Sequence, residues 1–77
     1  MDQIETLVDA RGLLCPLPVL KARKALSRLS AGAFLRVLTD DPAALIDMPH
    51  FCAEAGHALL TQQDTGTGMS FVIRKGG

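Results

Sequence analysis

Proline residues mark the start of both helical segments of this chain, and they limit its possible folds more strongly than any other feature. Pro16 and Pro18 precede one amphipathic run, and Pro42 follows two aspartates at the start of a second run. Proline suits the first turn of a helix, because the N–H group that it lacks would have no partner there. Short segments of strand character flank each run, so the sequence predicts that helices alternate with strands.

The first helix is predicted from Pro16 to about Leu29, and Gly32 is expected to provide a left-handed cap. At about 100° per residue, the apolar residues fall on one side and the basic residues on the other, as in an amphipathic helix with a solvated outer face. The apolar side comprises Val19, Ala22, Ala25, Leu26 and Leu29, and the basic side comprises Lys21, Lys24 and Arg28.

The second helix is predicted over residues 43–56, after the two aspartates and the proline of residues 40–42, in which the aspartates are expected to cap the helix. Pro49 lies inside this range, so we expect a kink or a break there, with Asp47 or Met48 restarting the second half. The helix is expected to end at a glycine, which readily adopts the left-handed conformation.

Four short segments have strand character, and a glycine-rich turn joins the last two. In the last strand, Met69, Phe71 and Ile73 are expected to face the core, whereas Ser70 and Val72 face away from it. The β-α-β-α-β-β order predicts an α+β fold: a two-layer α/β sandwich with two helices on one face of a four-stranded mixed sheet, formed by residues 1–77 as a single domain. The strands are predicted at residues 6–10, 33–39, 57–63 and 69–75.

The charges of this chain cancel overall but are unevenly distributed. The formal net charge is zero, which argues against non-specific binding to nucleic acid. Residues 10–36 contain six basic residues and no acidic one, whereas residues 40–64 contain five acidic residues and no lysine or arginine. Such a polarised surface favours oriented binding to a protein partner.

The start of the chain is acidic where a secretory leader would be basic, so we expect no signal peptide. No apolar run approaches the roughly 20 residues that span a membrane, and we expect no membrane association. The expected compartment is the cytosol, where thiols stay reduced.

Cys15 is the residue best placed for chemistry, because it precedes Pro16 at the mouth of the first helix. A reactive cysteine must be a thiolate, and a helix N-terminus stabilises an anion by about 0.3–1 kcal/mol. Together with the basic residues nearby in sequence, this position predicts an exposed Cys15 with a lowered pKa. The alternative is a small buried side chain, which is the usual environment of a free cysteine.

The other candidate groups favour structural roles. Cys52 follows Phe51 within a helix, and a buried packing role is expected. His50 and Cys52 are two positions apart and should not face each other, while His50 and Glu54 should form a solvated contact. The sequence shows no tetrahedral metal-ligand set, no Ser-His-Asp spacing, no phosphate loop and no dinucleotide fingerprint.

Residues 7–19 contain Cys15-Pro16-Leu17-Pro18 and resemble the Cys-Pro-x-Pro signature of the TusA/SirA family of small sulfur carriers. Residues 40–42, 47–52 and 73–77 are similar to further sequence blocks of that family. The resemblance covers nearly the whole chain and implies a fold like that of the C-terminal domain of translation initiation factor three.

The resemblance also implies a mechanism. Cys15 would accept a sulfane sulfur from an IscS-type cysteine desulfurase or a rhodanese-like donor, hold it as a persulfide and pass it to a TusBCD-like or DsrE-like acceptor. The implied activity is that of a sulfurtransferase that needs no cofactor and no metal and acts as a monomer without direct contact to nucleic acid. The implied route leads to 2-thiouridine in tRNA, whereas relatives serve molybdenum-cofactor synthesis or sulfur oxidation.

Leu14 and Leu17 flank the motif where some relatives carry charged residues, so these two residues are expected to influence the choice of partner. A different class of function is also open: the uneven charge would suit a non-catalytic regulatory or protein-interaction domain. RNA binding is disfavoured, because neutral charge and three phenylalanines provide neither a phosphate track nor a stacking platform.

Overall fold

The computed structural model describes residues 5–77 and contains two helices and four strands in the predicted order. The sheet order is β1-β2-β4-β3, with β1 parallel to β2 and the other neighbours antiparallel. The predicted two-layer α+β fold with a mixed sheet is therefore confirmed. The elements are β1 (Glu5–Asp9), α1 (Leu17–Ser27), β2 (Phe34–Thr39), α2 (Ala44–Ala55), β3 (Ala58–Asp64) and β4 (Met69–Arg74).

The core lies between the helices and one face of the two central strands, β2 and β4. Phe71 is the largest fully buried side chain, and it packs in one cluster with residues of both helices. Of the apolar side predicted for α1, Ala22 and Leu26 are fully buried and the remaining three residues are partly buried. The buried cluster consists of Ala10, Ala22, Leu26, Leu35, Val37, Ala44, Met48, Cys52, Phe71 and Ile73.

The alternation predicted for β4 is wrong in one respect: Ser70 and Val72 are buried as well. β4 lies between β2 and β3, so side chains of these two strands also cover the face of β4 that points away from the helices. Arg36 of β2 lies opposite Val72 and donates from Nη1 to the Ser70 hydroxyl at 2.7 Å, while its Nε donates to the Glu5 carboxylate at 2.8 Å. A long side chain that lies across the sheet can shield neighbours while its charge remains near solvent.

Of the kink or break predicted at Pro49, the break is absent, because α2 runs from Ala44 to Ala55 through this proline. A proline inside a helix removes one backbone hydrogen bond, but tertiary packing supplies most helix stability in a folded protein. Met48 and Cys52, which lie on either side of Pro49 along the helix, are both fixed in the core. Gly56 ends α2 in the left-handed conformation, as predicted.

Helix α1 is shorter than predicted. It ends at Ser27, and Gly32, which was expected to cap it, instead adopts a positive φ in the loop before β2 and donates to the Lys75 carbonyl at 2.8 Å. Pro16 immediately precedes the helix, so Pro18 is the proline inside the first turn, where it is buried. Neither helix, among the residues described, has the length and apolar character required to cross a bilayer.

Gly68 approaches the end of β2 so closely that it leaves no room for a side chain. A Cβ atom at this position would overlap the Thr39 carbonyl oxygen and lie 3.0 Å from the Asp40 Cα. We expect Gly68→Ala to lower the free energy of unfolding by about 1–3 kcal/mol, because the turn must move away from β2. Urea unfolding followed by circular dichroism measures this loss; Thr67→Ala, in the same exposed turn, should change stability by less than about 0.5 kcal/mol.

Candidate functional site

Cys15 lies in the loop between β1 and α1, and its side chain is exposed, as the sequence predicted. The loop starts from a fixed point, because Ala10 is fully buried and its N–H donates to the Leu38 carbonyl at 2.8 Å. It ends in a turn in which the Leu17 N–H donates to the Leu14 carbonyl at 2.8 Å. The thiol is therefore presented to solvent from a backbone anchored at both ends.

Two carboxylates from the segment before α2 also hold this loop. The Gly12 N–H donates to Asp40 Oδ1 at 2.9 Å, and the Cys15 N–H donates to Asp41 Oδ2 at 2.7 Å. The other oxygen of Asp41 accepts from the Ala43 N–H at 3.1 Å, so this side chain connects the start of α2 to the cysteine. The capping role predicted for these aspartates is therefore wrong: no side chain caps α2, and Asp40 and Asp41 instead hold the cysteine loop.

A groove of about 360 Å³ opens beside Cys15 between the two helices. Its apolar side comes from Pro16, Val19 and Phe51, and its acidic side from α2. Ligand pockets typically measure about 300–1,000 Å³, so this groove has room for one side chain or a short segment of a partner. Besides Cys15, its lining consists of Pro16, Val19, Asp47, His50, Phe51 and Glu54.

The predicted lowering of the Cys15 pKa is wrong. Asp47 raises this pKa above its ordinary value, because its carboxylate favours the protonated sulfur as a hydrogen-bond acceptor and through its negative charge. Desolvation of the thiol and the negative charge of Asp41 act in the same direction. The free protein therefore holds Cys15 mainly as a thiol at neutral pH.

Two physical reasons explain this reversal. The first turn of α1 offers few N–H groups to an anion, because Pro16 and Pro18 have none and the Leu17 N–H is already bonded. In addition, Arg11, the basic residue nearest to Cys15 in sequence, forms an ion pair with Asp9 at 2.8 Å. Lys21 and Lys24 line a separate groove beside β1, where Arg28 also lies.

The predictions of a buried Cys52 and of a solvated contact between His50 and Glu54 are confirmed. Cys52 is buried in the core, and burial raises its pKa to about 11. His50 Nε2 and Glu54 Oε1 are 3.6 Å apart with both side chains largely exposed, which fits a solvated contact. Within residues 5–77, no group of three or more histidine, cysteine, aspartate or glutamate side chains is arranged to hold a metal ion.

The two thiols should therefore differ strongly in reactivity. At pH 8 only about one Cys52 in 1,000 would be ionised, and its burial further restricts access. We expect iodoacetamide to alkylate Cys15 more than about tenfold faster than Cys52 in the folded protein. Timed alkylation followed by peptide mass spectrometry measures both rates, and equal rates would contradict the structure.

A second prediction about alkylation follows from the effect of Asp47 on the Cys15 pKa. Asp47→Asn removes the negative charge but leaves a side chain of the same shape, so the pKa of Cys15 should fall. We expect Cys15 to be alkylated severalfold faster in the variant than in the wild type at pH 7. The difference should disappear at a pH above the Cys15 pKa of both proteins, where the thiol is ionised in each. Alkylation rates of Cys15 measured from about pH 6 to about pH 11 give the thiol pKa in each protein. A Cys15 pKa in Asp47→Asn that equals or exceeds the wild-type value would contradict the prediction.

Exposed apolar side chains lie close to Cys15 along the chain. Leu14, Leu17 and Leu20 are 69%, 48% and 47% exposed, respectively. Leu14 immediately precedes the motif, Leu17 lies within it, and Leu20 lies one turn further along α1. These three leucines offer exposed apolar area near the cysteine in sequence, which suits contact with another protein.

Comparison with known proteins identifies the family. A family model described as sulfurtransferase TusA matches residues 6–75. The crystal structure of a SirA-like protein from Desulfitobacterium hafniense superimposes with a TM-score of 0.80 and 27% sequence identity, over 96% of this chain and 100% of that chain. The family match includes all of the secondary structure except Glu5, the first residue of β1, and it includes Cys15, Asp40 and Asp41. The chain therefore belongs to the TusA family of sulfurtransferase-type sulfur carriers.

Proposed function

We propose that this protein accepts a sulfane sulfur on Cys15, carries it as a persulfide and delivers it to an acceptor protein. The observation that best supports this role is the exposed Cys15 thiol on a loop anchored by Asp41, while the other cysteine is buried in the core. An anchored thiol at the surface can meet a partner's sulfur directly. Cys52, being buried, is poorly placed to resolve a persulfide on Cys15 as an intramolecular disulfide.

The transfer step needs no oxidant. The Cys15 sulfur attacks the terminal sulfur of the donor persulfide, the donor's S–S bond breaks, and a new S–S bond forms on Cys15. The donor cysteine leaves as a thiolate and takes up the proton that Cys15 loses. A second exchange of the same kind delivers the sulfur. An acceptor thiolate attacks the outer sulfur of the persulfide, and Cys15 leaves as a thiolate.

The proposal extends to the partners. The donor is an IscS-type cysteine desulfurase or a rhodanese-like protein, and the acceptor is a TusBCD-like or DsrE-like protein. The exposed leucines near Cys15 in sequence support docking to such proteins. We place the pathway in the cytoplasm, where thiols stay reduced, and direct it towards 2-thiouridine in tRNA or another sulfur-trafficking route, with the carrier acting as a monomer.

Intact-mass analysis tests this function. The protein is incubated with a cysteine desulfurase and cysteine, and its mass is measured before and after treatment with a reducing agent. We expect a gain of one sulfur atom that maps to the peptide containing Cys15 and disappears on reduction. No gain with any desulfurase or rhodanese donor would contradict the proposal and would favour a non-catalytic interaction domain instead.

A further inference from the structure

The groove beside Cys15 combines an apolar side with a negatively charged one, and this combination restricts what can occupy it. Val19 and Phe51 provide apolar surface, and Asp47 and Glu54 provide carboxylates on the α2 side. Within residues 5–77, no lysine or arginine forms an ion pair with either carboxylate, and the side chain of His50 lies 3.6 Å from Glu54.

A lysine or arginine side chain matches such a groove. Both have an apolar stem that can lie along hydrophobic surface and a cationic head that remains at the wetter end. The stem would contact Val19 and Phe51, and the head would reach Asp47. A neutral apolar group would leave the carboxylates beside it partly desolvated and unpaired, and an anion would be repelled.

We propose that the groove formed by Pro16, Val19, Phe51, Asp47 and Glu54 binds a lysine or arginine side chain that a partner protein presents next to its own reactive sulfur. This inference rests on the proposed function, because a partner that exchanges sulfur with Cys15 must place a segment over this groove. The exposed Leu14 and Leu17 would contact apolar residues of the same segment.

Binding of such a cation would also activate the cysteine. In the free protein, Asp47 opposes ionisation of the thiol. A cation beside Asp47 offsets its negative charge and favours the thiolate. The thiol would then ionise at the moment when a partner's sulfur arrives, and Cys15 would remain less reactive towards other electrophiles between encounters.

Small disulfides of different charge test this inference without any sulfur donor. The probes are cystamine, which carries ammonium groups, neutral 2-hydroxyethyl disulfide and anionic dithiodiglycolate. In each reaction the Cys15 thiolate attacks one sulfur, the probe's S–S bond breaks, a mixed disulfide forms and one thiolate leaves. Dividing each rate by the rate of the same probe with neutral N-acetylcysteinamide removes differences in leaving group.

We expect the normalised rate with Cys15 to be about 3- to 10-fold higher for cystamine than for the neutral probe at low salt, and lowest for the anion. Asp47→Asn should abolish most of this preference, and Glu54→Gln should weaken it. A changed thiol pKa cancels in the ratio, because all probes meet the same thiolate. Asp64→Asn is the matched control: it removes the same charge in the β3–β4 turn, keeps an acceptor for the Gly66 N–H, and should retain the preference.

Two results would overturn the inference: a wild-type protein that shows no preference for cystamine, or an Asp47→Asn variant that keeps the full preference. A higher rate for the neutral probe would indicate a purely apolar occupant instead. These outcomes are separate from the proposed function, since Cys15 could still gain sulfur from a desulfurase if the groove had no charge preference. Conversely, the groove could prefer cations even if no desulfurase loaded the protein.

Discussion

Replacing Cys15 with serine is expected to reduce sulfur uptake from a cysteine desulfurase from one atom per chain to none. A serine hydroxyl is much less acidic than a thiol and forms no persulfide, so the variant offers no substitute nucleophile at this position. The remaining cysteine cannot replace it, because Cys52 is 2% exposed and its pKa is raised to about 11. Intact mass before and after reduction measures the loss.

The variant Cys52→Ala is the matched control for this experiment. It also removes one thiol, but it leaves the exposed loop and the groove in place, so it should still gain one sulfur atom. Alanine is preferable to serine here, because a serine hydroxyl would be buried in the core without a hydrogen-bond partner. Undiminished sulfur gain in Cys15→Ser, or loss of gain in a folded Cys52→Ala, would refute the assignment of the carrier residue.

Truncation of Phe71 to alanine is expected to produce the largest loss of stability of any change considered. Phe71 is the largest fully buried side chain and lies on β4, an inner strand that contacts both β2 and β3. Replacing a buried phenylalanine with alanine typically costs about 3–5 kcal/mol. A domain of this size has a total stability of only about 4–12 kcal/mol, so this single change should remove at least about a quarter of it.

Far-UV circular dichroism during urea unfolding measures this effect, since the chain has no tryptophan or tyrosine to serve as a fluorescent probe. Ile46→Ala provides the comparison: it also truncates a large apolar side chain, but Ile46 is 75% exposed on α2, where alanine is a good helix former. Its stability should change by less than about 0.5 kcal/mol. If Phe71→Ala does not fold, Phe71→Leu provides a second measurement and should be less stable than the wild type but still folded. A stability equal to that of the wild type in either variant would contradict the burial of Phe71 in the core.

The sequence predicted the elements well where a local pattern coincides with the tertiary environment. The periodicity of α1 identified Ala22 and Leu26 as core residues, and both are fully buried. The prediction failed where packing outweighs local preference. Pro49 should interrupt α2 by its own chemistry, but Met48 and Cys52 bury their side chains and the helix continues. Val72 looks solvent-facing in sequence, and its burial follows from the inner position of β4 and from Arg36, which lies opposite it on β2.

By itself, the sequence determined the order of the elements, the exposure of Cys15 and the burial of Cys52, because each depends on residues close together along the chain. Only the tertiary structure decided the chemical state of Cys15. Asp41 accepts from the Cys15 N–H across 26 positions of sequence, and Asp47 raises the Cys15 pKa; the first lies just before α2 and the second within it. Electrostatic effects depend on distance in space. The basic residues adjacent in sequence therefore have less influence on the thiol than two carboxylates that the fold brings beside it.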